Sequence, residues 1–180
     1  MEFENRYDMI KNLVTSGGTY GEIGVFKCEF SLFIKDTLKP NKFILFDLFD
    51  GNICSGDCDG NNVHYIDMSS QYEKACTIGT AIKGDSSKCL LECDYTFDMI
   101  YIDGDHSYEG CKKDLMAART KVKPGGWIIG HDYKMNYKKT KNTYLFGVKK
   151  AVDEFLDTYN LTIHAFANDG CVSYAIKNIY

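Results

Sequence analysis

Several common signatures are missing from this sequence, and each absence closes a class of function. No run of 18 apolar residues occurs, so nothing reads as a membrane span. The opening residues MEFENRYDMIK bring acids early and no apolar stretch, so no secretory signal is visible and a cytoplasmic protein is expected. Eight cysteines are present, yet there is no CxxC pair and no histidine at zinc-finger spacing. The two CxxxC pairs, Cys54/Cys58 and Cys89/Cys93, are weak signals, and in a reducing compartment the cysteines are expected to remain thiols. The N-x-T sequon at Asn160–Thr162 is then a chance match. Basic excess is absent too. Lys and Arg number 21 against 25 Asp and Glu, a net charge of −4, which argues against nucleic acid as partner. No repeat, low-complexity tract or linker interrupts the 180 residues, so one domain is expected over 1–180, with a short helix at 5–16 and a core at 19–177.

What is there is an alternation of strand-like and helix-like segments. TYGEIGV (19–25) reads as a strand and EFSLFIKDTL (29–38) as a helix with Phe30, Phe33, Ile34 and Leu38 on one face, stopped by Pro40. KFILF (42–46) is an apolar strand, and 50–62 is a loop dense in Gly, Asp and Asn. A helix at 68–77, the strand TAIKG and the short helix SSKCLLEC follow. The strand 97–102, a helix over 107–121 and the strand WIIG come next. A Lys/Tyr-rich loop (134–144) leads to the amphipathic helix GVKKAVDEFLDTY, and strands at 161–166 and 171–177 meet at the turn ANDG. Such alternation with short connections defines an open, mostly parallel sheet with helices on both faces. Ligands of these folds bind beyond the carboxyl ends of the strands, at the topological switch point.

The polar residues gather where that rule puts chemistry. In FDMIYIDGDHSYEG and GGWIIGHDY, Asp103 and Asp132 each follow an apolar strand, and each has a histidine close by, His106 and His131. The bland alternative makes Asp103 a cap for the helix near Ser107 and Asp132 part of a polar turn; two such acids at adjacent strand ends favour function. Glu22 and Gly24 sit at the first strand–helix turn, where a glycine permits close backbone approach. This turn is not G-x-G-x-x-G, because Phe26 and Cys28 occupy the following positions, so a dinucleotide pyrophosphate is disfavoured. Asp47 ends the second strand, in the place of an acid that accepts from a ribose diol. Asp85 and Ser86 end the third, in reach of an adenine edge. Together they describe a site for an adenosine without a diphosphate.

The segments GEIGVFKCEFS, FILFDLFDG, IKGDSS, FDMIYIDGDHSYEGCKKDL, VKPGGWIIGHDY and GVKKAVDEF resemble class I S-adenosylmethionine-dependent methyltransferases, over roughly residues 19 to 177. More narrowly they are similar to the small-molecule O-methyltransferase-like branch with IDGDHSYE and GHDY motifs. The resemblance implies an α/β, Rossmann-like seven-stranded methyltransferase sheet, mostly parallel with its last strand antiparallel. It implies that Glu22 and Gly24 flank the methionine part of the cofactor, that Asp47 binds the ribose, and that Asp85 and Ser86 bind the adenine, with Asp103 also on the cofactor side. In metal-dependent relatives, acids at the Asp103 and Asp132 positions hold a divalent cation, Mg²⁺ or Mn²⁺. Here the neighbours of the second acid are His131 and Tyr133, a departure that adds His131 as a candidate ligand and tilts the site toward Mn²⁺, Fe²⁺ or Zn²⁺. Cys28 is another departure, standing where relatives have glycine.

The expected reaction is methylation of a hydroxyl on a small molecule or sugar. A cation on Asp103 and Asp132 would lower the pKa of the acceptor, and His106 or His131 would take its proton. The alternative for His106 is a helix N-terminal residue satisfied by Asp103 or by backbone. His64 and His164 lack motif support and are read as structural or exposed. With little chain before residue 19 to form a lid, the acceptor wall is expected from the 50–62 loop, the 134–144 loop or a second subunit, which makes a homodimer attractive. YKMNYKKTKNTY reads as a solvated flap and DCDGNN as a turn lacking the EF-hand pattern. Two rival readings stay open: a degenerate, non-catalytic cofactor-binding or assembly module, and a nicotinamide-dependent oxidoreductase.

Overall fold

The computed structural model describes residues 1–50, 54–56, 63–65, 68–134 and 147–179; for 54–56 and 63–65 the backbone alone is described. The strands are β1 (Glu2–Phe3), β2 (Thr19–Ile23), β3 (Lys42–Asp47), β4 (Cys54–Gly56), β5 (Val63–Tyr65), β6 (Thr80–Lys83), β7 (Phe97–Ile102), β8 (Val122–Gly130), β9 (Ile163–Asn168) and β10 (Val172–Lys177). The helices are α1 (Arg6–Leu13), α2 (Glu29–Leu38), α3 (Ser69–Ile78), α4 (Ser86–Glu92), α5 (Tyr108–Lys121) and α6 (Val148–Tyr159). Within the segment read as a loop at 50–62, β4 begins a small antiparallel pair with β5, while DCDGNN and nearly all of YKMNYKKTKNTY lie outside the described residues.

The main sheet runs β1-β9-β10-β8-β7-β2-β3-β6. β2 pairs in parallel with both β3 and β7, and β10 is antiparallel to both β8 and β9. This is the expected seven-stranded order with the last strand inserted antiparallel, plus one addition. β1 pairs in parallel with β9 through Glu2 and Phe3, making an eighth strand at the edge. Two residues are too few for any alternation of polar and apolar side chains to show.

The sheet is covered on both faces, which is why its central strands read as unbroken apolar runs. Leu45, Met99, Tyr101 and Ile129 pack with Met9 and Ile10 of α1, Ile34 and Leu38 of α2 and Ala75 of α3. Phe46, Ile100, Ile102 and Ile128 pack with Leu90 of α4, Leu115 and Ala118 of α5 and Val152 and Phe155 of α6. The chain leaves β2 for β3 and β6 on one side and returns to β7 on the other, so the switch point lies between the carboxyl ends of β2 and β7. No helix among the described residues is long and apolar enough to cross a membrane.

Candidate active site

At the switch point two backbones come together. Gly24 has φ +83°, and a Cβ there would sit 2.1 Å from the Asp103 carbonyl oxygen. Gly24 N–H donates to the Phe46 carbonyl and Asp103 N–H to that of Ile23, so the turns after β2, β3 and β7 are tied to one another. The glycine therefore has a requirement independent of any ligand: it admits the Asp103 peptide. Phe26 and Cys28 also have positive φ, +46° and +63°. Cys28 thus adopts the left-handed backbone that glycine takes without strain. Its thiol is fully buried with the sulfur 3.8 Å from the Gln71 carbonyl of α3, and burial pushes it up to about 11.

Glu22, one residue before the end of β2, lies on the face covered by α2 and is 1% exposed. Its Oε2 is buried with no hydrogen-bond partner among the described residues, while the buried Ser31 hydroxyl acts on the same carboxyl. Burial, with the nearby charges of Asp103 and Asp47, raises the Glu22 pKa to about 8, against the opposing effect of Ser31. Asp47 closes β3 as a bracket for both neighbouring turns. Its Oδ2 accepts from the N–H groups of Val25 (2.7 Å) and Phe26 (3.0 Å), and its Oδ1 accepts from Phe49 N–H (3.0 Å).

The third strand end divides the two residues expected there. Asp85 is exposed and caps α4, accepting from Lys88 N–H and the Ser87 hydroxyl, which lowers its pKa. Ser86 instead turns inward and donates to Asp114 Oδ1 at 2.6 Å. Asp114, on α5, is 2% exposed, and burial lifts its pKa to about 7. Sequence reasoning missed it, although a signal existed: an acid at position 114 interrupts the apolar stripe of Cys111, Leu115 and Ala118.

The next strand ends bring together the residues of the two specific motifs. His106 Nε2 lies 3.1 Å from Asp103 Oδ1 and 3.2 Å from Asp132 Oδ2. Burial lowers the His106 pKa, but the Asp103 hydrogen bond and the charges of Asp103 and Asp132 outweigh it and leave the pKa raised. Asp132 has φ +60° and is 7% exposed, and its Oδ1 has no hydrogen-bond partner among the described residues. His131 is oriented by a 2.7 Å contact between its Nδ1 and Ser173 Oγ. The structure distributes the candidate metal ligands over two triplets that share Asp132: Asp103, His106 and Asp132, and His131, Asp132 and Cys171. Tyr133, the other neighbour of Asp132, points away and donates its hydroxyl to Asp153 of α6 at 2.7 Å. His164 is exposed on β9 and lies against Trp127, and the side chain of His64 lies outside the described residues.

The segment before residue 19 does reach the rim, contrary to the expectation that it contributes little there. Arg6 of α1 lies 3.7 Å from both Asp103 Oδ2 and Asp169 Oδ2, donates to the Tyr101 hydroxyl, and stacks over Phe30 with 5.0 Å to the ring centre. Nothing local in the sequence marks Arg6. Its role arises because β1 on the far edge carries α1 back across the sheet.

A sheet of this order, with acids at its switch point and no pyrophosphate fingerprint, defines the Rossmann-like fold of methyltransferases. The family model described as a methyltransferase domain matches residues 22–133. The chain belongs to that family and is a class I S-adenosylmethionine-dependent methyltransferase. No curated protein matches it at the level of sequence. Similar solved structures include the N-methyltransferase NodS from Bradyrhizobium japonicum WM9, at 14% identity and TM-score 0.61 over 97% of this chain and 95% of that one. The precorrin-6y C5,15-methyltransferase from Geobacter metallireducens GS-15 aligns at 13% identity and TM-score 0.62, over 95% and 86% of the two chains. An rRNA methylase from Streptococcus thermophilus aligns at 9% identity and TM-score 0.61, over 97% and 94%. At these identities the likeness is one of fold.

Proposed function

We propose that the chain is an O-methyltransferase acting on a hydroxylated small molecule or sugar, in the cytoplasm. The observation that carries this reading is the His106 imidazole held between Asp103 and Asp132 at the switch point, at 3.1 and 3.2 Å. When bound, S-adenosylmethionine supplies an electrophilic methyl group. The remaining work falls to the protein: to orient a hydroxyl and remove its proton. His106 Nε2–H donates to the flanking carboxylates, so the imidazole takes that proton at Nδ1 and the two carboxylates stabilise the imidazolium.

The residues fit the cofactor. The buried, unsatisfied Oε2 of Glu22 suits a cationic ligand group such as an α-ammonium, and Asp47 retains acceptor capacity toward a ribose while bracing the turns. A divalent cation fits as well, because Asp132 Oδ1 is a buried acceptor without a partner among the described residues. Asp132, with the histidine and third donor of one of its two triplets, would hold it, and it would supply Lewis acidity toward an acceptor hydroxyl. The net charge of −4 favours a small acceptor over nucleic acid. Against the degenerate-module reading, the Cys28 sulfur packs toward α3.

Calorimetric titration with S-adenosylhomocysteine tests the assignment. Asp47→Ala alone is a poor control, because it also orphans three backbone N–H groups. Asp47→Asn with a thermal melt beside each titration separates binding from folding. Micromolar binding by wild type, weakened by at least about tenfold in a folded Asp47→Asn, supports the reading and justifies an acceptor screen of sugars and catechol-like compounds. Methyl transfer to RNA and to none of these acceptors would overturn the small-molecule assignment.

A further inference from the structure

We propose that His131, Asp132 and Cys171 form a binding site for a borderline-soft divalent cation, zinc in the first instance, rather than the all-oxygen site that metal-dependent relatives imply. The three donors come from the end of β8 and the start of β10, and one ligand atom from each lies within 4.8 Å of the others. Donors around tetrahedral zinc sit about 3.3–3.8 Å apart, given bonds of roughly 2.0–2.3 Å, so a contraction of about an ångström closes the shell.

The two oxygens of Asp132 face different neighbours. Oδ2 is taken by His106 at 3.2 Å, whereas Oδ1, buried and without a hydrogen-bond partner among the described residues, lies on the side of His131 Nε2, 3.7 Å away. At 7% exposure the Asp132 carboxylate is approached by the His131 imidazole at 3.7 Å and by the Cys171 thiol, and a cation held by all three would complete the set. His131 is oriented for ligation: its Nδ1 is held by the fully buried Ser173 hydroxyl at 2.7 Å, which leaves Nε2 turned to Asp132. In the other triplet Asp103 is already paired with Arg6 and His106, and Asp132 Oδ2 with His106, so Oδ1 beside His131 is the oxygen left to a cation.

The donor types choose the metal. An imidazole, a carboxylate and a thiolate suit zinc, whereas magnesium prefers oxygen and retains its waters. On binding, the Cys171 thiol gives its proton to solvent and its sulfur lone pair to the cation, with no change of oxidation state. Three protein ligands leave a fourth position open for water or an acceptor hydroxyl. The cation's part in deprotonating an acceptor rests on the methyltransferase reading above, whereas its binding does not.

The test is titration of Co²⁺, a spectroscopic stand-in for zinc, into the metal-stripped full-length protein. The expected result is a thiolate-to-cobalt charge-transfer band that saturates near one equivalent. Equimolar Zn²⁺ should abolish the band, and about a hundredfold excess of Mg²⁺ should leave it. The band should vanish in Cys171→Ser, and Ser173→Ala should weaken cobalt binding about tenfold or more. Metal-free melts check that each variant folds; Ser173→Ala, which keeps all three ligands, carries the test if Cys171→Ser does not fold. Absence of the band in wild type, its persistence in folded Cys171→Ser, or unchanged affinity in Ser173→Ala would each overturn the proposal. Binding of S-adenosylhomocysteine is measured on the same metal-free protein, so cobalt binding without it leaves the site standing and removes its role in methyl transfer.

Discussion

His106 Nε2 lies 3.2 Å from Asp132 Oδ2, across the ends of two neighbouring strands, and the same nitrogen lies 3.1 Å from Asp103. One imidazole therefore serves two carboxylates that would otherwise face each other, with Arg6 beside Asp103 and His131 beside Asp132. Replacing it should expose that repulsion. His106→Ala is expected to lose about 1–2 kcal/mol of stability, a value reduced because the His106 side chain is 30% exposed. Asp103→Asn added to it should restore part of the loss, which a double-mutant cycle by urea unfolding would measure. The raised pKa also sets the rate profile. A base must be neutral to accept a proton, so methyl transfer should fall as pH drops through the raised His106 pKa, placing the acidic limb above pH 6.5. A pH-independent rate in wild type would remove His106 as base.

Glu22 makes a stability prediction of opposite character to the usual surface acid. Its folded pKa, about 8, stands above its ordinary 4.5, so the folded state holds a proton that the unfolded state releases. The sign follows: its contribution is fully present below pH 4.5 and is lost as pH rises toward and through 8. Asp114, raised to about 7 from 3.8, acts in the same direction over its own window. Glu22→Gln keeps the shape and cannot ionise. It should match wild type near pH 5 and exceed it by roughly 1–3 kcal/mol near pH 8.5, read from urea midpoints in ligand-free protein. Equal pH slopes in the two proteins would show that Glu22 is ionised when folded.

Cys28 separates backbone strain from side-chain packing. At φ +63° an L-residue is strained by about 1–2 kcal/mol, whereas glycine is not. Cys28→Gly gives up a buried sulfur but relaxes the turn, and the balance should lie within about 1 kcal/mol of wild type. Cys28→Val keeps the bulk and adds β-branching at positive φ, and should lose about 2 kcal/mol. Thiol labelling gives a second readout. Exposed Cys76 should react in the native protein, while the Cys28 thiol, pushed up to about 11, and Cys111, pushed up to about 12, should react only on unfolding.

Much of this architecture was legible because local patterns and tertiary demands agree. The apolar faces of α2 and α6 and the apolar run of β7 specify elements whose bounds the structure reproduces closely. The acids at the strand ends were legible for the same reason: a carboxylate closing an apolar strand belongs at the rim. The apolar run WIIG is only the end of β8. That strand begins at Val122 and carries Pro124 and Gly125 within the strand, opposite the irregular pairing near Phe97 and Met99, so its turn residues mark a distortion rather than a start. What was not legible is non-local. Cys171 meets Asp132 only because β10 inserts antiparallel beside β8, and Arg6 meets Asp103 only because of where α1 docks.

Gly24 gives the sharpest separation between a residue kept for a ligand and one kept for the fold. If its purpose were only to let a cofactor approach, Gly24→Ala would fold normally and lose affinity. The structure gives it a different constraint, since a Cβ would lie 2.1 Å from the Asp103 carbonyl oxygen and 2.5 Å from its carbon. Both contacts are with backbone, which cannot swing aside as a flexible side chain would, and φ of +83° disfavours alanine before any clash is counted. Strain and overpacking together should destabilise Gly24→Ala by roughly 3 kcal/mol or more. The turn after β7 would have to retreat, carrying Asp103 with it. Gly104→Ala offers the comparison, because there a Cβ would meet the methyl of Ile23 at 3.0 Å, a side-chain contact that can adjust. Urea unfolding should therefore rank Gly24→Ala well below Gly104→Ala, with binding of S-adenosylhomocysteine following stability. A Gly24→Ala protein as stable as wild type but unable to bind would return the glycine to the cofactor alone.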